Sequence, residues 1–244
     1  MRFLLIIILI LHSTFNLAFS REEGVEIMFS IPFGGSYSYH NVNFVSNPDI
    51  DFFFTYNKNR VHKSGFETGF EFLVGYFLPL SSFDMSIFAN IAYSYDYFGL
   101  KVLDVNESYS FNNLKLGLDL KFFVDNLSIG LAAGLKVPLG LIFTTYSSYM
   151  IGDFYYSASD LNEKLKLRIM PYLQLSLDYI FKFDYFNIFI GPYVGYDFGL
   201  LVNSDDIYID TKDLSSVDFG IKISMLLSIN NFINKKENDN ELIF

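Results

Sequence analysis

Leu114-Lys115-Leu116-Gly117-Leu118-Asp119-Leu120-Lys121-Phe122 alternates without a break, apolar at every even position and lysine, glycine or aspartate at every odd one. A period of two marks a β-strand whose faces meet different surroundings. Seven more segments carry the pattern: Gly24–Phe33, Gly65–Leu78, Asp84–Phe98, Leu127–Leu141, Lys164–Ile180, Phe186–Leu200 and Leu214–Leu227. The apolar face is Leu, Ile and Val in mid-strand. The other face is mostly Gly, Ser, Ala and Asn with a few charges, as in Ser128, Gly130, Ala132, Gly134 and Lys136. A water-facing surface would carry long Lys and Glu side chains throughout. Small residues suit the crowded inside of a narrow barrel, which leaves the apolar face for lipid.

The connections repeat long and short. Long ones fall at Gly34–Ser64, Gly99–Asn112, Ile142–Glu163 and Leu201–Asp213, short ones at Pro79–Phe83, Asp125–Asn126 and Phe181–Tyr185. That rhythm predicts an all-β fold: a closed antiparallel up-and-down transmembrane β-barrel of eight strands, with short periplasmic turns and longer outer loops. Ten strands is the alternative, with an extra hairpin at residues 42–56. The run Ile50–Tyr56, holding Phe52, Phe53 and Phe54, either extends that hairpin or folds into the barrel mouth. Pro171 and Pro192 interrupt two strands, where each removes a ladder hydrogen bond. They read as facing each other across the third short turn, at a bulge or kink.

Residues 1–20 read as a cleaved signal peptide. Met1-Arg2 is a positive start, Phe3–Leu11 an apolar run too short to span, and Ala18-Phe19-Ser20 a cleavage site before Arg21. The barrel then occupies 21–229, and 230–244 is a polar, flexible periplasmic tail. The chain has 29 Phe and 18 Tyr but no Trp and no Cys. This composition excludes disulfides and thiolate metal sites. The formal net charge of −10 argues against a nucleic-acid partner. Aromatics gather at the strand ends: Tyr93, Tyr95, Tyr97, Tyr196 and Phe198 toward the outer rim, Tyr76, Phe122, Tyr179 and Phe186 toward the inner. Such girdles edge a lipid-facing band.

The inward charges are sorted by strand. Lys115, Lys121, Lys136, Lys166 and Arg168 come from strands four to six. Glu26, Glu67, Glu71 and Asp96 come from strands one to three, Asp197 and Asp218 from seven and eight. Asp119, Asp178 and Lys222 break the rule. Because unpaired buried charge is costly, these groups are expected to form a paired, hydrogen-bonded core that plugs the lumen. A gated or leaky narrow pore is the alternative.

Taken together, the signal, the eight alternating strands and the long–short rhythm resemble the small eight-stranded outer-membrane barrels of the OmpX and OmpA-transmembrane type. The resemblance covers about residues 24–228. Asp218-Phe219-Gly220-Ile221-Lys222-Ile223-Ser224-Met225 is similar to the signal by which assembly machinery recognises a final strand. Members often end at that strand, whereas this chain continues to Phe244. The Phe, Ile, Asn and Lys bias also resembles spirochaetal outer-membrane proteins. The resemblance implies location in a bacterial outer membrane, lipid as the surrounding partner and insertion by the barrel-assembly machinery. Its members range from adhesins to enzymes, so function stays open.

Chemistry is sparse. His40 and His62 share the first long loop with Ser36, Ser38, Ser46 and Asp49, a set that would suit a lipid A acyl-modifying enzyme. Solvated loop side chains are the plainer reading, and no catalytic, metal or cofactor site is expected. The histidines lack metal-ligand spacing, and Asp205, Asp206 and Asp210 read as a solvated acidic turn. Tyr37, Tyr39, Tyr146, Tyr149, Tyr155 and Tyr156 are loop candidates for contact with an extracellular ligand. The expected protein is a non-enzymatic barrel anchor with interacting or adhesive loops. Refolded in detergent, it should migrate differently on gels before and after boiling; identical migration would contradict a barrel.

Overall fold

The computed structural model describes residues 23–44, 60–80, 83–102, 105–146, 151–157, 159–161, 165–183, 185–203 and 209–229. The signal peptide, the stretch 45–59 with its three phenylalanines, and the tail lie outside the described residues. Ten strands form: β1 (Gly24–Phe44), β2 (Arg60–Pro79), β3 (Asp84–Val102), β4 (Val105–Val124), β5 (Leu127–Tyr146), β6 (Ile151–Ser157), β7 (Leu165–Leu167), β8 (Met170–Lys182), β9 (Asn187–Asn203) and β10 (Ile209–Ser228). Each of β1 to β5, then β8, β9 and β10, pairs antiparallel with the next, and β10 pairs back to β1. This is a closed eight-stranded up-and-down barrel. The short β6 and β7 are additions at its outer end, on β5 and β9 respectively.

Closure follows from the alternation. Leu118 and Leu175 are 59% and 52% exposed, whereas Lys115 and Gln174 are 2% and 7% exposed. That is a soluble protein turned inside out. Its wall satisfies main-chain groups within the ring, as a hydrocarbon surround requires. Exposed Ile31, Val74, Ile91, Leu131, Val194 and Ile223 make the mid-height belt. Aromatic contacts edge it. Phe33 meets Phe66 at 5.3 Å, Phe66 meets Tyr95 at 6.3 Å and Tyr196 meets Phe198 at 4.8 Å toward the outer rim. Toward the inner rim, Phe83 meets Phe122 at 5.9 Å and Tyr179 meets Phe181 at 4.9 Å.

The inner turns are as short as predicted. β4 passes to β5 through Asp125-Asn126, with Asp125 at φ 54°, a left-handed position that aspartate tolerates. The outer connections differ from the prediction because most of their residues are strand. The supposed loop Gly99–Asn112 is a hairpin paired out to Val102↔Val105, and β1 runs ten residues beyond Gly34 to Phe44. Above the belt the outward face meets water while Tyr109, Phe111, Leu141, Leu200 and Leu214 turn inward, so the contrast that marks a lipid-facing strand is lost while the ladder continues. The third connection holds β6, a strand the sequence reading lacked. The extra hairpin proposed at 42–56 falls largely outside the described residues.

Pro171 and Pro192 do not face each other. Pro192 pairs with Ile221, and the β8–β9 ladder lapses between Ser176↔Tyr193 and Tyr179↔Ile190 without a change of register. A missing N–H opens a gap there, not a bulge. Pro171 instead stands at the head of β8, opposite Leu135. The register does shift beside Pro138, which pairs with Asn113 while Gly140 pairs with Asn112. Leu139 is the extra residue, and beyond it the buried parity of β5 flips from even to odd.

Two tyrosines press on three glycines of the inner wall. Gly117 and Gly134 are register partners. A Cβ at 117 would stand 2.2 Å from Tyr172 Oη, and one at 134 would stand 2.8 Å from Tyr172 Cε1. Gly34 pairs with Gly220, and a Cβ at 34 would stand 2.6 Å from Tyr193 Oη. Main-chain atoms of the partner strands crowd the same positions: Leu116 O would stand 2.1 Å from a Cβ at 134 and Phe219 O 2.3 Å from one at 34. Gly117→Val should therefore lower stability by about 1–3 kcal/mol through overpacking. Gly152→Ala, whose nearest neighbours would be 3.4 Å away, should be neutral. Urea titration of the folded gel band checks both.

Candidate functional site

The lumen is built in three layers. Toward the inner end Met28, Leu73, Phe77, Phe88, Phe123, Ile180, Phe189 and Leu226 form a buried apolar cluster. Toward the outer end Tyr109, Phe111, Leu141, Leu161, Leu165, Met170, Leu200 and Leu214 form another, with Phe143 and Tyr156 against it. Between them sit most of the charges, while Glu26, bonded to Ser86, lies on the inner side of Met28 and Phe88 along their strands. The sequence reading assigned the inward face to small and ionised residues and missed both apolar layers. Their signal was present in parity: Phe88 falls between Ser86 and Asn90, and Phe189 between Asn187 and Gly191. Leu161, between β6 and β7, packs into the outer layer.

Eight carboxylates and four lysines of the predicted set are buried. Cations are outnumbered, so single lysines serve several acids. Lys136 on β5 gives hydrogen bonds to Glu67 on β2 at 3.1 Å, Asp96 on β3 at 2.9 Å and Asp197 on β9 at 2.6 Å. These use all three ammonium donors and tie opposite walls together. Lys115 contacts Glu71 at 2.7 Å and Gln174 Oε1 at 3.2 Å, with its Nζ 4.4 Å from the Tyr172 ring centre. Lys222 shares Glu71 at 3.5 Å and approaches Asp119 at 4.0 Å. Lys121 pairs with Asp178 at 2.7 Å, 5.5 Å above the Phe189 ring of the inner layer.

Neutral groups join the network. Ser86 Oγ donates to Glu26 at 2.7 Å, and Tyr193 Oη to Glu67 at 3.2 Å. Asn113 Nδ2 and Ser94 Oγ donate to Asp96. Ser216 Oγ lies 3.2 Å from Asp218 and 3.4 Å from Asp197. Asn113 and Tyr172 were not singled out in the sequence, although each has the parity of its charged neighbours Lys115 and Asp178. Two predicted members stand differently. Arg168 sits half-buried in the break between β7 and β8, and Lys166 lies on β7 with its side chain outside the described residues.

The eight carboxylates and four lysines are each at most 4% exposed. Among the described residues, no three His, Asp or Glu are placed to hold a metal. The candidate enzyme set is not assembled as a loop. His40 and His62 belong to β1 and β2, opposite Leu214 and Leu100, and their side chains are outside the described residues, as are Ser46 and Asp49. Ser36 is buried, and Ser38 Oγ bonds to main-chain oxygens of Lys63 at 2.8 Å and Gly99 at 3.0 Å.

The tyrosine set needs correction too. Tyr37 and Tyr39 are on β1, Tyr146 ends β5, and Tyr155 and Tyr156 are on β6, so these five are strand residues. Tyr149 is outside the described residues. The ladders extend above the belt and carry the tyrosines with them. Tyr155 is 72% exposed, whereas Tyr156 is half-buried against the outer apolar layer.

No protein-family model matches the chain, and no curated protein matches it. Among solved structures, the barrel of OprG from Pseudomonas aeruginosa aligns with 85% of this chain and 98% of its own at 8% identity and a TM-score of 0.42. Neisserial surface protein A aligns with 86% of this chain and 100% of its own, at 8% identity and 0.36. The outer-membrane protease OmpT of Escherichia coli aligns with 88% and 99%, at 6% identity and 0.41.

Removing Lys136 would leave three carboxylates without a counter-charge. Lys136→Met should cost about 3–5 kcal/mol, as for a buried ion pair broken on one side. Adding Glu67→Gln, Asp96→Asn and Asp197→Asn should recover most of that loss. Urea titration of the four-site variant beside the single one is the check.

Proposed function

We propose that this protein is an integral protein of a bacterial outer membrane, in which the barrel is a non-conducting anchor and the outer hairpins carry an interaction or adhesion function without enzymatic chemistry. The observation that carries the reading is the sealed lumen. Lysines and carboxylates that pair with one another are almost fully buried, and apolar clusters pack toward both ends, which favours a closed interior over a water-filled channel. A protein with an apolar exterior and a closed interior meets its surroundings through its ends. The outer end is the larger. A barrel strand crosses a bilayer in ~9–11 residues, whereas β3 and β4 have 19 and 20. About half of each therefore rises beyond the belt.

The same reading assigns partners. Lipid covers the belt. β10, with Asp218 to Met225 lying between β9 and β1, is the strand offered to the assembly machinery. An extracellular ligand meets the hairpins, where Tyr37 and Tyr146 are 50% and 56% exposed. Nucleic acid is not a partner of so acidic a chain.

Planar-bilayer recording should give no steady conductance, and a reproducible open channel would remove the anchor reading. On intact cells, added protease should cut at residues 103–104, the tip of the β3–β4 hairpin, and spare the Asp125-Asn126 turn. The reverse pattern would invert the orientation. Exchanging the hairpin tips should abolish cell-surface adhesion while leaving the heat-dependent gel shift intact.

A further inference from the structure

The barrel wall changes composition at its outer end. Below, β8 fills the place between β5 and β9; above Met170 it stops, and β6 takes the edge of β5 while β7 takes the edge of β9. Among the described residues β6 has a ladder with β5 alone. Along its other long side, no described strand pairs with β6.

The end of that side is capped. Ser157 donates its main-chain N–H to Asp160 Oδ2 at 3.0 Å and accepts the Asp160 N–H on its carbonyl at 3.1 Å. Both main-chain groups of Ser157 thus face away from β5. Alternation along a strand gives the same sense to Asp153 and Tyr155, while Gly152, Phe154 and Tyr156 face β5. The Asp153 and Tyr155 N–H and C=O groups make a short row of donors and acceptors. Tyr155 is 72% exposed and Asp153 is also exposed. Row and cap carry acids, Asp153 and Asp160, and no cation lies on β6 or on Leu139–Tyr146 of β5.

We propose that the free edge of β6 is a docking site for an extended, positively charged peptide segment, which adds to it as a further strand. Main-chain pairing supplies the binding, and Asp153 and Asp160 select the charge. A second copy of this chain is a poor occupant, because each copy carries a formal charge of −10. The natural partner's position outside the cell rests on the anchor reading above. The edge itself does not, since purified protein in detergent tests it regardless of orientation.

The probe is a fluorescent heptapeptide of alternating lysine and valine, titrated by anisotropy against the refolded full chain. A control peptide of equal charge carries proline at its centre. Tyr155→Pro removes an N–H from the free row without touching the bonds to β5, and Asp153→Asn removes one charge. The alternating peptide should bind wild type and lose about tenfold in affinity on Tyr155→Pro, the factor for one hydrogen bond of ~1.4 kcal/mol. The proline peptide should bind wild type more weakly by a similar factor, and Asp153→Asn should flatten the salt dependence. Equal binding by the two peptides, equal binding to Tyr155→Pro, no binding, or association of the protein with itself through β6 would each overturn the proposal. Should Tyr155→Pro fail to refold, the two peptides on wild type decide. Protease accessibility on cells reads orientation separately, so failure of the edge and failure of the anchor reading are distinguishable.

Discussion

Main-chain pairing in a medium without water is the constraint from which this molecule follows. A sheet that meets hydrocarbon has no solvent to satisfy a bare edge, so its first and last strands must join. Joining β1 to β10 closes a tube, and a closed tube gives every residue one of two fates, facing lipid or facing its own interior. The period-two sequence meets that division directly. Leucines at even positions of β4 form part of the wall's outer surface, while Lys115, Asp119 and Lys121 are carried into a space too narrow for them to remain solvated.

The interior then has its own problem. Lysines and carboxylates held out of water need partners on every donor and acceptor. The arrangement around Lys136 meets this by converging three acids from three different strands on one ammonium. Phenylalanines at either end exclude water, which strengthens the pairing and raises the penalty for breaking it. On the proposed reading, a barrel organised in this way is closed to ions. It fits an anchor better than a conduit, and it moves the search for function to the rim.

How much of this was legible depended on whether a residue's two neighbouring faces differ. Leu114 to Phe122 lies where one face meets lipid and the other charge, so its strand, its orientation and its lumen residues were all readable. Tyr37 and Tyr155 lie where the outward face meets water instead of lipid. There aliphatic residues no longer mark that face, and a strand reads as a loop. Pro138 escaped notice because a bulge depends on the partner strand, which a single sequence does not reveal. The lumen charges were identifiable one at a time, but the convergence on Lys136 was not. Which acid reaches which lysine is set by stagger around the ring. The apolar layers were overlooked for a different reason: Phe88 and Phe189 satisfy an apolar pattern on either face, and only their parity shows that they turn inward.

The seam between the first and last strands has a consequence for how the molecule is made. Ser30 and Ser224 share a buried hydrogen bond at 2.8 Å although 194 positions separate them along the chain. Neighbouring hairpins are local and can zip in order, but this contact waits until nearly the whole polypeptide has arrived. Until then β1 and β10 are two sticky margins on an incomplete sheet, in surroundings where other nascent chains are present. The time spent in that half-rolled state, more than the strength of the finished tube, sets the hazard of misassembly. An escort that shields one margin until the other is delivered would remove it.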